Sequence, residues 1–124
     1  MPSSSDAPPV GPYAPIVRAG DLLICSGQLG LKDGDLVAGG VEAELTQAFV
    51  NLTSVLASEG ATLDHVVKTL VFLLDMDEFA AMNAVYVEHF GDHRPARSAV
   101  AVAGLPRGAC VEIEAWAYLP PASH

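Results

Sequence analysis

The sequence predicts a single α+β domain in which a mixed β-sheet carries two helices on one face. Two stretches have the apolar spacing of amphipathic helices, several short stretches have the composition of strands, and the two kinds of element alternate along the chain. The chain has 124 residues, of which 51% are hydrophobic, so it is long enough to bury one core. We expect the domain to span residues 10–119, after a flexible lead over 1–9 and before a tail over 120–124.

The domain is expected to open with short strands. Residues 16–19 and 22–25 read as a hairpin around the turn pair Gly20-Asp21. A second turn over residues 32–35 would direct residues 36–37 back along the sheet.

Two helices are predicted from apolar residues that recur at intervals of three and four. Gly60 is placed to end the first helix, and Gly91 the second, which Asp75 or Asp77 can cap at its start. The two apolar stripes consist of Leu45, Ala48, Phe49, Leu52, Val55 and Leu56, and of Phe79, Met82, Tyr86 and Phe90.

The remaining strands are predicted over residues 66–74, 98–103 and 111–118. The first is mainly apolar and too short for a helix, which indicates a strand buried on both faces. The last alternates, with Val111, Ile113, Ala115 and Ala117 on one side and Glu112, Glu114, Trp116 and Tyr118 on the other. The element order is therefore a strand pair, a helix, a strand, a helix and a final strand pair. Since the uncovered sheet face would be apolar, we expect a closed homo-oligomer.

Charge and composition exclude several classes of protein. The formal net charge is −9 and only six residues are lysine or arginine, so nucleic acid is an unfavourable partner. No apolar run approaches the roughly 20 residues of a membrane span, and the start of the chain lacks a secretory pattern. A cytoplasmic protein is expected. Cys25 and Cys110 are interpreted as small buried apolar residues and not as a disulfide or a metal pair.

Several motifs that could carry chemistry are weak. His89 and His93 are four residues apart, as in a helical metal site, but Gly91 lies between them and ends the helix, so no metal is expected. Ser26 lacks the surroundings of a nucleophile elbow and, taken alone, reads as a turn residue. Glycine-rich nucleotide motifs are missing from the sequence, and no cofactor is expected.

Arg97 is the charge in the most unusual context, because it enters an apolar strand directly after Pro95-Ala96. A buried guanidinium requires an acceptor, since an unpaired buried charge costs several kcal/mol. One interpretation is an ion pair with Glu112 or Glu114 on the neighbouring strand. The other is that Arg97 holds a small carboxylate substrate through two parallel hydrogen bonds. A glutamate beside such a pocket could activate water, or it could lie at a sheet edge without a role in the reaction.

Eight short sequence stretches, spread over nearly the whole domain, together form a pattern that includes Arg97. They are Gly11-Pro12-Tyr13, Ser26-Gly27-Gln28, Val67-Lys68-Thr69, Val71-Phe72-Leu73, Met82-Asn83-Ala84-Val85-Tyr86, Pro95-Ala96-Arg97-Ser98, Leu105-Pro106-Arg107-Gly108 and Val111-Glu112-Ile113-Glu114-Ala115. Because these stretches occur together and in this order, the sequence resembles the Rid family, also called the YjgF or reactive-intermediate-deaminase family.

The resemblance implies a chorismate-mutase-like α+β fold assembled as a homotrimer, with sites between subunits. It implies hydrolysis of 2-imino acids, such as 2-iminobutanoate and 2-iminopropanoate, to 2-oxo acids and ammonia without a cofactor. These imines arise from enamines that pyridoxal-phosphate enzymes release. One alternative from the same resemblance is a non-catalytic trimer that binds small carboxylates or acts like a chaperone. Another is an endoribonuclease or translation inhibitor, which the net charge of −9 disfavours.

The resemblance also implies roles for individual positions. Arg97 matches the arginine that binds the substrate carboxylate, and Glu112, in preference to Glu114, matches the glutamate that orients water. The remaining matches to pocket positions are the side chains of Tyr13, Ser26 and Asn83 and the backbone of Gly27. Ala99 departs from the pattern, because many deaminase members have a cysteine two residues after the arginine. Water is the nucleophile in imine hydrolysis, so this departure bears on which substrate is preferred.

Overall fold

One five-stranded sheet and two helices form the two layers of the computed structural model, which describes residues 11–122. The expected lead over residues 1–9 lies outside the described residues. The strands are β1 (Ile16–Ala19), β2 (Leu22–Gln28), β3 (Leu31–Lys32), β4 (Asp35–Leu36), β5 (Val66–Leu73), β6 (Ala96–Ala101) and β7 (Val111–Tyr118), and the helices are α1 (Gly40–Ala57) and α2 (Phe79–Phe90). The predicted mixed α+β class is confirmed.

The main sheet has the strand order β1-β2-β7-β5-β6, in which only β5 and β6 run parallel. The expected final strand pair is wrong, because β7 pairs with β2 and β5 and is not paired with β6. The physical reason is the crossover through α2, which returns the chain parallel to β5 on its outer side. β6 is therefore an edge strand. It begins at Ala96, two residues before the predicted start at residue 98.

Both helices lie where the apolar stripes predict them. All six stripe residues of α1 are buried, and Gly60 follows the helix with φ of 80°, a conformation that favours glycine. Gly91 ends α2 with φ of 63°. The expected aspartate cap belongs to a short 3₁₀ turn, Met76–Glu78, that leads into α2, where the Asp77 amide donates to Asp75 Oδ1 at 2.9 Å.

The two faces of the sheet differ in burial. The alternation of β7 is confirmed, with Val111, Ile113, Ala115 and Ala117 all fully buried beneath the helices. The prediction that the strand at 66–74 is buried on both faces is wrong for a single chain, since the helices cover one face only. On the open face, Val100 is 42% exposed and Trp116 is 38% exposed. This face presents exposed apolar side chains, as the sequence indicates, but Lys68, Glu112 and Glu114 also lie on it.

The hairpin of β3 and β4 forms a separate two-stranded sheet, so the expectation that residues 36–37 run along the main sheet is wrong. Asn51 of α1 holds this hairpin, because its Nδ2 donates to the carbonyl oxygens of Leu29 at 3.0 Å and Leu31 at 2.9 Å. Because one helix side chain donates to two backbone carbonyls of this segment, the chain is drawn toward α1 and away from the main sheet at this point.

Candidate functional site

Arg97 extends from the edge strand β6 toward α2. Its register partner on β5 is Thr69, which is fully buried, so both residues lie on the face that the helices cover. Nη1 of Arg97 donates to Asn83 Oδ1 at 2.7 Å. The guanidinium carbon lies 4.8 Å from the ring centroid of Tyr86 and 5.5 Å from that of Phe79. One amide and two aromatic rings therefore orient the cation.

Tyr86 is itself held in place. Its hydroxyl lies 2.7 Å from Thr69 Oγ1, and its ring contacts those of Phe49 and Phe90. Burial raises the pKa of Tyr86, against the opposing effects of the bond to Thr69 and of the Arg97 and Arg94 cations. The phenol is therefore neutral at physiological pH and can donate or accept a hydrogen bond.

An open pocket of about 490 Å³ lies beside this cluster. Its lining residues are Asn83, Tyr86, Val87, Arg94, Pro95 and Arg97. They include two cations and no carboxylate. In a chain with a net charge of −9, this local charge favours an anionic ligand.

The interpretation of Arg97 as an ion-pair partner of Glu112 or Glu114 is wrong within one chain. Arg97 makes no ion pair with any residue in the range 11–122. The strand beside β6 is β5, whereas both glutamates lie on β7, and Phe72 of β5 is the register partner of Glu112. Arg97 points toward the helices and the glutamates point to the open face.

A second cluster surrounds Glu112. The pairing of β2 with β7 is irregular between Cys25 and Gln28, and the bulge places Gly27 against Glu112. A Cβ atom at position 27 would lie 2.8 Å from Cδ of Glu112, so a side chain at this position would displace the Glu112 carboxyl group. Sequence reasoning placed Ser26 in a turn, which is wrong, because the residue belongs to β2.

Ser26 connects this bulge to the segment that carries Tyr13. Its Oγ donates to the Ala14 carbonyl at 2.7 Å, and its backbone amide donates to the Pro15 carbonyl at 2.9 Å. Tyr13 is 44% exposed. Ser26, Gly27 and Glu112 therefore lie together where β2 meets β7, and Ser26 ties the segment that carries Tyr13 to them through Ala14. We call Tyr13, Ser26, Gly27 and Glu112 the Glu112 cluster.

The Glu112 carboxyl is half-buried. Desolvation raises its pKa, and the nearby charge of Glu114 raises it further. A carboxylate in this state is a better base than an exposed glutamate once it is ionised. It is also protonated at a higher pH than usual.

The candidate residues thus form two separate groups. Asn83 and Arg97, with Tyr86, form what we call the Arg97 cluster on the helix-covered side of β6, while the Glu112 cluster lies on the open side of β2 and β7. One chain does not bring them together.

Ala99 lies on the same face as Arg97, opposite Val71 of β5, and packs against the edge of the core. A methyl group there fills little space beside the arginine. The side chain lies two residues after Arg97 on the same face of the strand, and it is not one of the residues that line the pocket.

The histidines and cysteines have structural partners. His89 Nδ1 lies 2.9 Å from the Val85 carbonyl oxygen, and His93 Nε2 lies 2.7 Å from that of Val66. In the range 11–122, no three His, Cys, Asp or Glu residues are grouped to hold a metal. Both thiols are free, as expected.

Cys25 is buried in the core, and burial raises the pKa of its thiol to about 12. Cys110 is half-buried, and its Sγ lies 3.1 Å from Glu44 Oε2. Burial and the Glu44 carboxylate raise the pKa of the Cys110 thiol to about 12. Neither thiol is a nucleophile at neutral pH.

Sequence reasoning treated Tyr86 only as a core residue and did not single out Arg94 as a candidate. Both line the pocket. One signal for Tyr86 was available, because Asn83 and Tyr86 are three residues apart and therefore share a face of α2. For Arg94 the signal was its position three residues before Arg97, within the only segment that holds two arginines so close together.

The chain is similar to known proteins over nearly its whole length. Residues 4–119 match a family model described as Endoribonuclease L-PSP, the Rid or YjgF family. The chain belongs to the Rid family. It is 44% identical over 122 residues to the 2-iminobutanoate/2-iminopropanoate deaminase of Mus musculus, covering 96% of this chain and 90% of that one. It is 42% identical over 112 residues to a RutC family protein of Pyrococcus horikoshii, covering 89% of both.

Solved structures of Rid proteins are also similar. RidA of an Antarctic Psychrobacter species matches with a TM-score of 0.90 at 37% identity, covering 94% of this chain and 96% of that one. Yeast Mmf1 matches with a TM-score of 0.89 at 37% identity, covering 96% and 98%. The Rid fold therefore extends over nearly the whole chain.

Proposed function

We propose that this Rid protein is an imine deaminase that hydrolyses small 2-imino acids, such as 2-iminobutanoate and 2-iminopropanoate, to 2-oxo acids and ammonia without a cofactor. The observation that carries the proposal is Arg97, a cation that borders a pocket and has no anionic partner within residues 11–122. The similarity to the Mus musculus deaminase, at 44% identity, supports the same activity.

Arg97 binds the substrate carboxylate in this proposal. A guanidinium has five N–H donors in a planar fork, and two of them match the two oxygens of a carboxylate. Asn83 fixes one nitrogen at 2.7 Å and the Tyr86 ring lies against the cation, so little side-chain freedom is lost when substrate binds.

The hydrolysis itself needs a placed water molecule and proton transfer. Water attacks C2 of the iminium, a C–O bond forms, and the C–N bond breaks after the nitrogen is protonated, giving a 2-oxo acid and ammonia. The ionised Glu112 carboxylate accepts the proton of the attacking water. The raised pKa of Glu112 improves it as a base. Holding water and substrate together removes much of the entropic barrier.

The Arg97 and Glu112 clusters meet when a second copy of the chain contributes one of them. The opposite orientation of the two clusters supports this arrangement, and so does the exposed apolar face that includes Val100 and Trp116. We propose a homotrimer with sites between subunits, in which Tyr13, Ser26 and the Gly27 backbone line the pocket with Asn83 of the neighbouring chain.

The test is hydrolysis of 2-iminobutanoate and 2-iminopropanoate generated in situ by an amino-acid oxidase or dehydratase, with ammonia release as the readout. Arg97→Lys should lower kcat/KM by about 100-fold or more, because an ammonium cannot form the planar two-point contact. Arg107→Lys is the matched control, since Arg107 is exposed and donates a hydrogen bond to the Gly34 carbonyl, away from the pocket that Arg97 borders. Equal activity of wild type and Arg97→Lys would contradict the proposal.

An endoribonuclease is the competing function, because the matching family model carries that description. The net charge of −9 opposes it, since phosphate contacts need Lys and Arg. RNA cleavage by the purified protein that persists in Arg97→Lys would favour the nuclease. Binding of 2-oxo acids without imine hydrolysis would favour a non-catalytic carboxylate binder or a chaperone-like trimer.

We propose the cytoplasm as the location of this activity. Neither helix within residues 11–122 combines the length and the hydropathy of a bilayer-spanning segment.

A further inference from the structure

Arg94 is a second cation at the pocket that Arg97 borders. Two of the chain's six basic residues therefore line one concavity, together with the neutral residues Asn83, Tyr86, Val87 and Pro95. Neither arginine has a carboxylate within 4 Å in the part of the chain from 11 to 122. Two guanidinium groups that share a pocket repel one another, and an anion with charge at both ends offsets that repulsion.

The backbone fixes the position of Arg94. Its Nη1 donates to the Gly91 carbonyl oxygen, where α2 ends, and to that of His93 at 3.2 Å. A cation is favourable at a helix C-terminus. Pro95 follows directly and restricts the backbone of the turn into β6. Arg94 is therefore anchored beside the pocket through one nitrogen of its guanidinium.

Arg94 and Arg97 also lie near the same group. Both cations act electrostatically on the Tyr86 hydroxyl, and both line the pocket beside that phenol. The same pocket wall includes Val87, Pro95 and the Tyr86 ring, which suit a short methylene chain. The wall therefore combines two cations with neutral, mostly apolar surface.

We propose that Arg94 binds a second carboxylate at the far end of the substrate, so that this pocket prefers 2-imino dicarboxylates over 2-imino acids with a neutral side chain. The inference rests on the proposed imine hydrolysis for its reaction, while the binding preference stands on the pocket alone. Arg94 touches the substrate and sets specificity, and it takes no part in the chemical step. The reaction is balanced as before, with one water consumed and one ammonia released for each 2-oxo dicarboxylate formed.

The experiment compares 2-iminosuccinate and 2-iminoglutarate with 2-iminopropanoate and 2-iminobutanoate, each generated in situ by an amino-acid oxidase. Arg94→Gln should lower kcat/KM for the dicarboxylates by about 10- to 100-fold, the value of one charge-assisted hydrogen-bonded contact. The same variant should change kcat/KM for the monocarboxylates by less than about threefold. Arg107→Gln, which removes an exposed arginine bound to a backbone carbonyl elsewhere, is the matched control.

Binding of the products gives a second readout that does not depend on turnover. Calorimetry with 2-oxoglutarate and 2-oxobutanoate should show tighter binding of the dicarboxylate by wild type, and Arg94→Gln should remove that difference. If neither imine class is hydrolysed but the difference in binding persists, the proposed function fails and the role of Arg94 stands. If Arg94→Gln lowers activity equally for both classes, or for neither, the role of Arg94 is contradicted while the proposed function survives.

Discussion

The Arg97 cation lies beside α2 with neutral partners, namely the Asn83 amide and the rings of Tyr86 and Phe79. Such contacts orient a guanidinium without neutralising its charge, whereas a carboxylate partner would neutralise it. A charge held in this way retains its attraction for an incoming anion. The surroundings of Arg97 therefore suit a residue that binds an anionic ligand better than one that forms a structural ion pair.

Glu112 gives a prediction about pH. Because desolvation and Glu114 raise its pKa, the ionised form is lost at a higher pH than for an ordinary glutamate as pH falls. Activity that requires the carboxylate should therefore decline on the acid side through this raised pKa and be full above it. Glu112→Gln should slow imine hydrolysis most above this raised pKa, where the wild-type carboxylate is ionised, and should remove the acid limb from the profile of kcat/KM.

The control for that experiment is Glu114→Gln, which should keep activity and shift the acid limb to lower pH, because one of the causes that raise the Glu112 pKa is removed. An unchanged acid limb in Glu112→Gln would assign the titration to another group. Loss of 2-oxo acid binding in Glu112→Gln would mean that the glutamate holds the ligand or its arginine and does not activate water.

At the residue scale, the sequence draws attention to Arg97 and to the pair Glu112 and Glu114, and only the family resemblance favours Glu112. The partners of these residues are not visible in the sequence. An arginine entering an apolar strand is visible in the sequence. Its contact with Asn83 depends on where α2 lies over β6, and that position is set by packing. The ion pair with Glu112 was a reasonable expectation only if β6 and β7 were neighbours, which they are not.

At the scale of elements, a tight contact joins the turn after β2 to α1. A Cβ atom at Gly30 would lie 2.6 Å from both Cα and the carbonyl oxygen of Glu44, which are backbone atoms of the helix and cannot rotate away. Gly30 is buried and its carbonyl accepts from the Val37 amide at 2.9 Å. The contact therefore sets the distance between the helix and the strand that leads to the Glu112 cluster.

Gly30→Ala should lower the free energy of unfolding by about 2 kcal/mol or more, because the helix must move to admit the methyl group. Gly104→Ala is the control, since no heavy atom lies within 4 Å of a Cβ built there and its backbone needs no positive φ. Urea denaturation followed by circular dichroism measures both. Equal stability of Gly30→Ala and wild type would show that α1 is not fixed by this contact.

The elements themselves were largely predictable. Both helices and the alternating strand β7 follow from periodicity, which reports the burial of each face. The topology was less accessible, because the parallel crossover to β6 and the insertion of β7 depend on contacts between residues far apart in the chain. The hairpin of β3 and β4 left the sheet for a similar reason, since its position follows from two hydrogen bonds to Asn51.

At the scale of the whole molecule, the open face of the sheet, with its exposed apolar residues, should mediate assembly. Val100→Glu places a charge on this face and should convert the proposed trimer to monomers with loss of imine hydrolysis, because an unpaired charge in an interface is costly. Val50→Glu is the matched control, as Val50 is 55% exposed on α1, on the opposite side of the molecule from the open face. Analytical ultracentrifugation measures the mass of each. A wild-type monomer, or a trimer in Val100→Glu, would contradict the proposed interface.

The division of the site between two faces of the sheet also has a genetic consequence. In the proposed assembly, a chain that has lost Arg97 still lends its Glu112 to a neighbour that keeps the arginine. Defects in the two clusters should therefore complement each other when both alleles are expressed in one cell, and a defect in either cluster alone should be recessive.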